Sequence, residues 1–358
     1  MKKSLLALAV LTAVSGAASA QSSVTIYGKV DLGMVYDSGN ASGKSVRLDS
    51  GVTGGSRLGF KGVEDIGGGT KFSFQLETGF CADSAAGQST NVTNSGGTVI
   101  GTTSAPNFCT GSNSFMGRQA YGELSGAFGA LSAGRQYSLG FNNLATIDPF
   151  GAGFAGQANN VSAAGVYLVD PSGIRLNNSV TYSTPNTAGF TGSVEASFGE
   201  QTGNWKANRE TGAGINYAAG PAYAGVTYYN LSDAAGNGAA KKVLTLGGTY
   251  DFGVVKLHAL GQSVTGTQDY RSYMAGVTVP IGQAQILASY VHHNDRTSAD
   301  QDGSQIGIGA LYALSKRTSL YTSFARIQNT HGAAFLVGNA TALGTGNKSF
   351  DAGIVHNF

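Results

Sequence analysis

The last ten residues, 349-SFDAGIVHNF-358, place Phe350, Ala352, Ile354, His356 and Phe358 on one parity and Ser349, Asp351, Gly353 and Asn357 on the other. Such alternation marks a β-strand with one apolar and one polar face. It runs to the final residue, where most chains fray, so the terminal strand must be held by a partner. The first strand-like stretch, 23-SVTIYGKVDLGMVY-36, supplies one, with Val24, Ile26, Val30, Leu32, Met34 and Tyr36 set against Thr25, Tyr27, Lys29 and Asp31. Pairing the last strand with the first leaves a sheet without edges, which is a barrel. Ile354, His356 and Phe358 are then the residues of closure, with Phe358 in an aromatic girdle at one rim.

The same period recurs along the chain. In 71-KFSFQLETGF-80 the residues Phe72, Phe74 and Leu76 oppose Lys71, Ser73, Gln75 and Glu77, and in 243-VLTLGGTYDFG-253 Leu244, Leu246, Tyr250 and Phe252 oppose Thr245, Thr249 and Asp251. The segment 285-QILASYVHH-293 fits either parity. Short turns such as 125-SGAFG-129 and 279-VPIGQ-283 alternate with longer polar loops rich in Gly and Asn. This punctuation predicts about 16 antiparallel strands with short turns on one side and long loops on the other. With 55 Gly, 16 Tyr and 17 Phe and only 12% charged residues, the composition favours strands over helices.

The N-terminus carries Lys2 and Lys3, the apolar run 5-LLALAVLTAV-14 and the small residues 15-SGAASA-20, a secretory signal cleaved after Ala20. Residues 21–358 then form one domain of about 338 residues, roughly 21 per strand, enough for a transmembrane wall plus connections. A soluble sandwich turns its apolar face inward, whereas a membrane barrel turns it to lipid and lines its lumen with polar groups. The polar parity holds Lys29 and Asp31, Arg57 and Lys61, Lys71 and Glu77, as a lumen requires. The fold expected is all-β, a transmembrane antiparallel barrel.

The charges limit the partners. The 22 basic residues, less Lys2 and Lys3, leave 20 against 20 acidic ones, which gives no support to nucleic-acid binding. Cys81 and Cys109 flank a polar segment, and in an oxidising compartment they are expected to form one disulfide, contributing on the order of 3 to 4 kcal/mol. No metal or cofactor is expected: His292 and His293 are adjacent and on a strand point to opposite faces. The stretch 39-GNASGKS-45 has one residue too few between its glycines for a phosphate-binding loop. No nucleophile and base are ordered by a catalytic motif, so the chain is not expected to be an enzyme.

Several longer stretches resemble the trimeric general porins of Gram-negative outer membranes, in particular their betaproteobacterial branch. They are 22-SSVTIYGKVDLG-33, 56-SRLGFKGVEDIGGGTKFSFQLETGF-80, 117-GRQAYGELSGAFGALSAGRQYS-138, 177-NNSVTYSTP-185 and 352-AGIVHNF-358, in that order across nearly the whole mature chain. The resemblance implies a 16-stranded barrel per subunit, a homotrimer, and a third long loop, residues 137–160, folded inward to narrow the pore. It implies passive diffusion of ions and small hydrophilic solutes, in a setting of outer-membrane lipid and lipopolysaccharide. By local motif the family's basic wall at the constriction falls on Lys29, Arg57, Arg118, Arg135 and Arg175. Parity supports Arg175, which shares a face with Asn177, Ser179 and Thr181 opposite Leu176, Val180 and Tyr182. On the strand that follows Arg118, Glu123 is expected to face outward. Where enterobacterial relatives carry an acidic loop tip this chain has 147-IDPFGAG-153, so Asp148 is the expected acid of the eyelet. The sign of the ion preference stays open, and a substrate-specific channel, a barrel enzyme and an adhesin are the other readings.

Overall fold

The computed structural model describes residues 23–40, 43–83, 89–93, 99–104, 116–160, 174–236 and 238–358. The expected signal segment, residues 1–20, lies outside these, as does Cys109. The disulfide expectation therefore falls outside the described residues.

The wall begins with β1 (Ser23–Asn40), which is long enough to pair with two successive strands on one side. Its upper half pairs with β2 (Gly43–Ser50) and its lower half with β3 (Arg57–Gly67), so β2 and β3 fill one wall position interrupted at residues 51–56. Then follow β4 (Thr70–Gly79), β7 (Gln119–Gly126), β8 (Gly129–Tyr137) and β9 (Arg175–Ser183). The small hairpin of β5 (Ser89–Thr93) and β6 (Val99–Ser104) forms a separate sheet in the connection after β4. The remaining strands are β10 (Phe190–Ser197), β11 (Glu210–Ala219), β12 (Ala222–Ser232), β13 (Ala239–Asp251), β14 (Lys256–Gly266), β15 (Tyr270–Ile281), β16 (Ala284–Asp295), β17 (Gly303–Ala313), β18 (Thr318–Asn329) and β19 (Lys348–Asn357). Each pairs antiparallel with its neighbours, giving 16 wall positions.

Closure is as the terminal alternation requires. β1 and β19 pair over ten residues, from Lys29 opposite Asn357 to Ser38 opposite Lys348. Gly28 and Phe358 exchange both backbone hydrogen bonds at 3.0 Å, so the last residue is tied into the ladder. Gly28 has to be glycine here: the Phe358 ring lies where its Cβ would project. Ile354 and Phe358 face outward, and His356, on the same parity, shares a hydrogen bond of 2.9 Å with Thr318 Oγ1.

The two faces differ as a bilayer demands. Exposed apolar side chains such as Val24, Ile26, Leu246, Ile306 and Phe324 all take the outward parity, while Asp31, Glu77, Thr245, Gln262 and Gln305 are buried on the inward one. In β16, Leu287, Val291 and His293 are buried and Tyr290 is exposed, which settles the parity of that strand. No helix of the described residues is long and apolar enough to cross a membrane.

The one α-helix of the described residues, α1 (Leu139–Ile147), opens the segment that runs to Asn160 inside the barrel. Ser138 caps it by accepting the Phe141 N–H at 3.1 Å. The segment lies across β12 to β17 because their inward positions make room. On odd-numbered strands, and at Gly225 of β12, these positions are glycines: Gly225 beneath Asn143, Gly247 beneath Ile147, Gly276 beneath Pro149, and Gly307 and Gly309 beneath Gly156 and Phe150. A Cβ at Gly276 would stand 2.5 Å from Pro149, and one at Gly307 2.9 Å from the Gly156 backbone. β14 and β16 supply polar ties instead. His258 on β14 bonds the Ile147 carbonyl at 2.6 Å, and Ser289 on β16 reaches the Gly156 carbonyl at 3.4 Å.

Candidate functional site: a basic wall and an inward loop

The five basic residues singled out in the sequence form one connected patch on β1, β3, β8, β9 and the entry to β7. Lys29 donates to Thr53 Oγ1 at 2.8 Å and stands 4.0 Å from Asp31 Oδ2. Lys29 and Arg57 both border Gly54, in the interruption between β2 and β3. Arg57 lies 3.9 Å from Glu77, whose other cation is Arg118, donating through Nε at 2.6 Å. Arg118 and Arg175 each donate to the Tyr137 hydroxyl at 2.8 Å, and Arg175 also covers the Tyr137 ring at 4.4 Å. Arg135 donates to the Gly117 carbonyl at 2.6 Å and to Asn177 Oδ1. Five cations thus meet two carboxylates, Asp31 and Glu77, leaving the patch positive.

The loop reaches this wall at both of its ends. Near its start Phe141 stacks on Tyr137 with ring centroids 4.9 Å apart. Near its end the Phe154 N–H donates to the Val52 carbonyl at 2.8 Å, which places Gly153 against Thr53, the residue that holds Lys29. Between these contacts the loop is plastered onto the opposite wall. Leu144, Ile147, Ala155 and Ala158 pack with Leu260, Met274, Val291 and Ile327, while Phe150 and Phe154 pack with Val35, Leu287, Tyr321 and Val355. Asp351 and Ser323 both accept the Ala155 N–H, at 2.7 and 3.0 Å, and Gln305 donates to the Gly156 and Gln157 carbonyls.

Asp148 does not act as expected. It is 4% exposed, and its carboxylate accepts the N–H groups of Phe150, Ala152 and Ala158 at 3.0 to 3.1 Å. It ties the loop corner together instead of presenting charge to the lumen. Burial pushes its pKa up to about 6, with the three amide donors pulling the other way. Among the described loop residues 139–160, those left open are Asn142, Thr146 and Gly151, with Leu139, Phe141, Ala145, Pro149 and Asn160 partly so, and none of these is charged.

Two orientation readings are corrected as well. Glu123 faces the lumen, paired with Ser73 on the face of Gln75 and Glu77, and the outward residue of that strand is Leu124. The bend at Arg118, after Met116 at φ 61°, breaks the alternation, so Arg118 and Gln119 are both buried on the inside. In β9 the alternation expected around Arg175 breaks at Asn178, which has φ 50°, beside a register shift in β8 between Gly134 and Gln136. Leu176 consequently turns inward to pack with Tyr229 and Val243, although Val180 and Tyr182 remain outward. Arg175 joins the patch through Tyr137 all the same.

A model of Gram-negative porins matches residues 7–332 of this chain. The chain belongs to the Gram-negative porin family. This porin is 36% identical over 346 residues to outer membrane porin protein 32 of Delftia acidovorans, across 92% of this chain and 90% of that one. It is 32% identical over 412 residues to an outer membrane porin protein of Bordetella pertussis, across 97% and 99%. Among solved structures, the anion-selective porin from Comamonas acidovorans superposes with a TM-score of 0.76 at 29% identity, covering 94% of this chain and 100% of that one. The Salmonella typhi OmpF complex with daunomycin shares the fold, at a TM-score of 0.66 and 17% identity across 94% and 97%. This porin is accordingly an outer-membrane protein whose barrel is a diffusion channel.

Tyr27 and Tyr137 are the site residues that sequence reasoning passed over. Tyr27 donates to Glu77 Oε2 at 3.0 Å and accepts from Gln75 at 2.8 Å, and Tyr137 bridges two arginines. The available signal was Tyr27 itself, an aromatic residue on the polar parity of β1.

Proposed function

We propose that this porin is a general-diffusion channel that favours anions, exported by cleavage after Ala20 and assembled as a homotrimer, with Lys29, Arg57, Arg118, Arg135 and Arg175 setting the preference. The observation that carries the reading is the asymmetry of the narrow zone. Five cations line the wall, while the described residues of the loop opposite offer the lumen no acid because Asp148 is folded into its own backbone. Three net positive charges about 10 Å from the pore axis would favour a univalent anion by roughly 1 kcal/mol in water, a several-fold enrichment. Transport in this reading is passive and includes no catalytic step. That the structural relative from Comamonas acidovorans is described as anion-selective supports the sign.

Single insertions of the purified mature protein in planar bilayers under a salt gradient test this. The reversal potential is expected to have the sign of an anion-preferring pore, with conductance arriving in steps of three. Replacing Arg135→Gln and Arg175→Gln together should move the potential towards zero. A cation-preferring potential in the unaltered protein would overturn the proposal.

A further inference from the structure

On the loop side of the lumen, strands that carry none of the basic wall border a recess of about 380 Å3. It lies between the β14–β15 connection, the loop-side end of β16, the loop 296–302 and residues 332–335 that follow β18. Tyr270 and Asp295 are direct partners across β15 and β16, and the next pair on that inward face is Ser272 and His293. His293 Nδ1 and Ser272 Oγ share a hydrogen bond of 3.1 Å. The His293 ring touches Tyr270, with centroids 4.6 Å apart, and Phe335, at 5.1 Å. These three rings are the apolar side of the recess.

The other side is rich in acceptors. Asp269 and Asp295 line it, and none of the described residues lining it is lysine or arginine. Asp295 accepts the Thr297 N–H and hydroxyl and the Gln301 N–H at 2.9 to 3.0 Å, which holds the loop 296–302 in place. The half-exposed Asp269 carboxylate has a long contact of 3.5 Å with Arg296 Nε. Gln268 Oε1 is buried with no hydrogen-bond partner among the described residues. A buried acceptor without a donor costs stability, so its position calls for a donor from a ligand. Rings on one side and acceptors with excess negative charge on the other suit an organic cation that carries N–H donors on an apolar body. A metal ion is the poorer fit, since no three His, Cys, Asp or Glu side chains of the described residues could hold one. A neutral sugar would make no use of the excess charge. We infer that the recess binds a primary ammonium joined to an aromatic ring, the nitrogen donating to Gln268 Oε1, Asp269 and Asp295 and the ring lying against Tyr270 and Phe335. This goes beyond passive diffusion and does not rest on the ion preference, since none of these residues belongs to the basic wall.

The test titrates phenethylammonium by calorimetry into the mature porin folded in zwitterionic detergent. Saturable binding at one site per chain is expected. Methylammonium lacks the ring, 2-phenylethanol lacks the charge and phenylacetate reverses it, so each should bind at least about 10-fold more weakly. Asp269→Asn, at a half-exposed position, should fold as the unaltered protein does and weaken phenethylammonium on the order of 10-fold. Gln268→Leu should weaken it on the order of 10-fold as well. Because that change removes an acceptor with no donor, its unfolding midpoint without the probe should be no lower than that of the unaltered protein, whereas a purely structural role for Gln268 would lower it. The reversal potential without the probe reads the channel separately, so either reading can fail alone. Absence of saturable binding by the unaltered protein would overturn the inference. So would undiminished binding by either variant, or equal affinity for methylammonium, 2-phenylethanol or phenylacetate.

Discussion

Asp148 shows how far a residue's type can be from its role. Its carboxylate is raised to about 6 from an ordinary 3.8, so the native state holds the proton more tightly than an unfolded chain does. The contribution of this group to stability is therefore complete below about pH 4 and is lost as pH rises through 6. In Asp148→Asn the side chain no longer titrates, and the gain in unfolding midpoint between pH 7.5 and pH 4.5 should be smaller than in the unaltered protein. An unchanged gain would mean that the carboxylate is not buried as described. Glu77 is a carboxylate enclosed by Arg57, Arg118 and Tyr27. Replacing it by Gln leaves Arg118 buried without its counter-charge, at a cost on the order of 3 kcal/mol. The same change removes one of two acids from the narrow zone. A lower melting midpoint together with a reversal potential displaced further towards anions is the expected result.

The strands were legible because lipid on one side and water on the other impose a period of two that survives in 24–36, 71–77 and 244–252. The inward loop hides its own seat. Val35, Leu287, Tyr321 and Val355 are apolar residues on the inward parity, buried where they pack with Phe150 and Phe154. The inward glycines Gly225, Gly247, Gly276 and Gly307 read as weak strand positions, although each is the space a loop residue occupies. Local breaks such as Asn178 at φ 50° shift a strand's parity without altering the residue types around it. The basic patch was legible by motif, but its tyrosine bridges and the burial of Asp148 depend on contacts between distant segments. The glycine seat can be tested directly. Gly307→Val should push the loop from the wall, lowering the melting midpoint by overpacking worth about 1 to 3 kcal/mol and reducing single-channel conductance. Gly261→Val on the outward face, where a Cβ would meet nothing closer than 3.8 Å, should leave conductance unchanged.

The whole barrel has no free sheet edge because its last residue reaches its first strand, and the Gly28 position shows how close that fit is. A side chain there competes with the Phe358 ring, so Gly28→Leu should lower the yield of heat-resistant folded barrel on refolding into detergent, as followed by electrophoretic mobility without boiling. A closed barrel also keeps its interior wet, which determines how its charges act over distance. In the proposed anion-favouring channel, the net positive charge of the narrow zone would act on ions through water and through the low-dielectric wall, and mobile ions would screen the part that passes through water. The screening length falls from about 10 Å at 0.1 M salt to about 3 Å at 1 M. A charge on the wall about 10 Å from an ion is thus felt in dilute salt and largely masked in molar salt. Conductance has no such limit, because a water-filled pore carries more current as its carriers become more concentrated. Measured at a fixed ratio of salt across the bilayer, the reversal potential should shrink several-fold between about 0.1 M and about 1 M while conductance rises nearly in proportion to concentration. A potential that persists undiminished in molar salt would point to selection by direct contact between ions and the arginines, and conductance that levels off would mean that solutes bind in the narrow zone instead of diffusing through it.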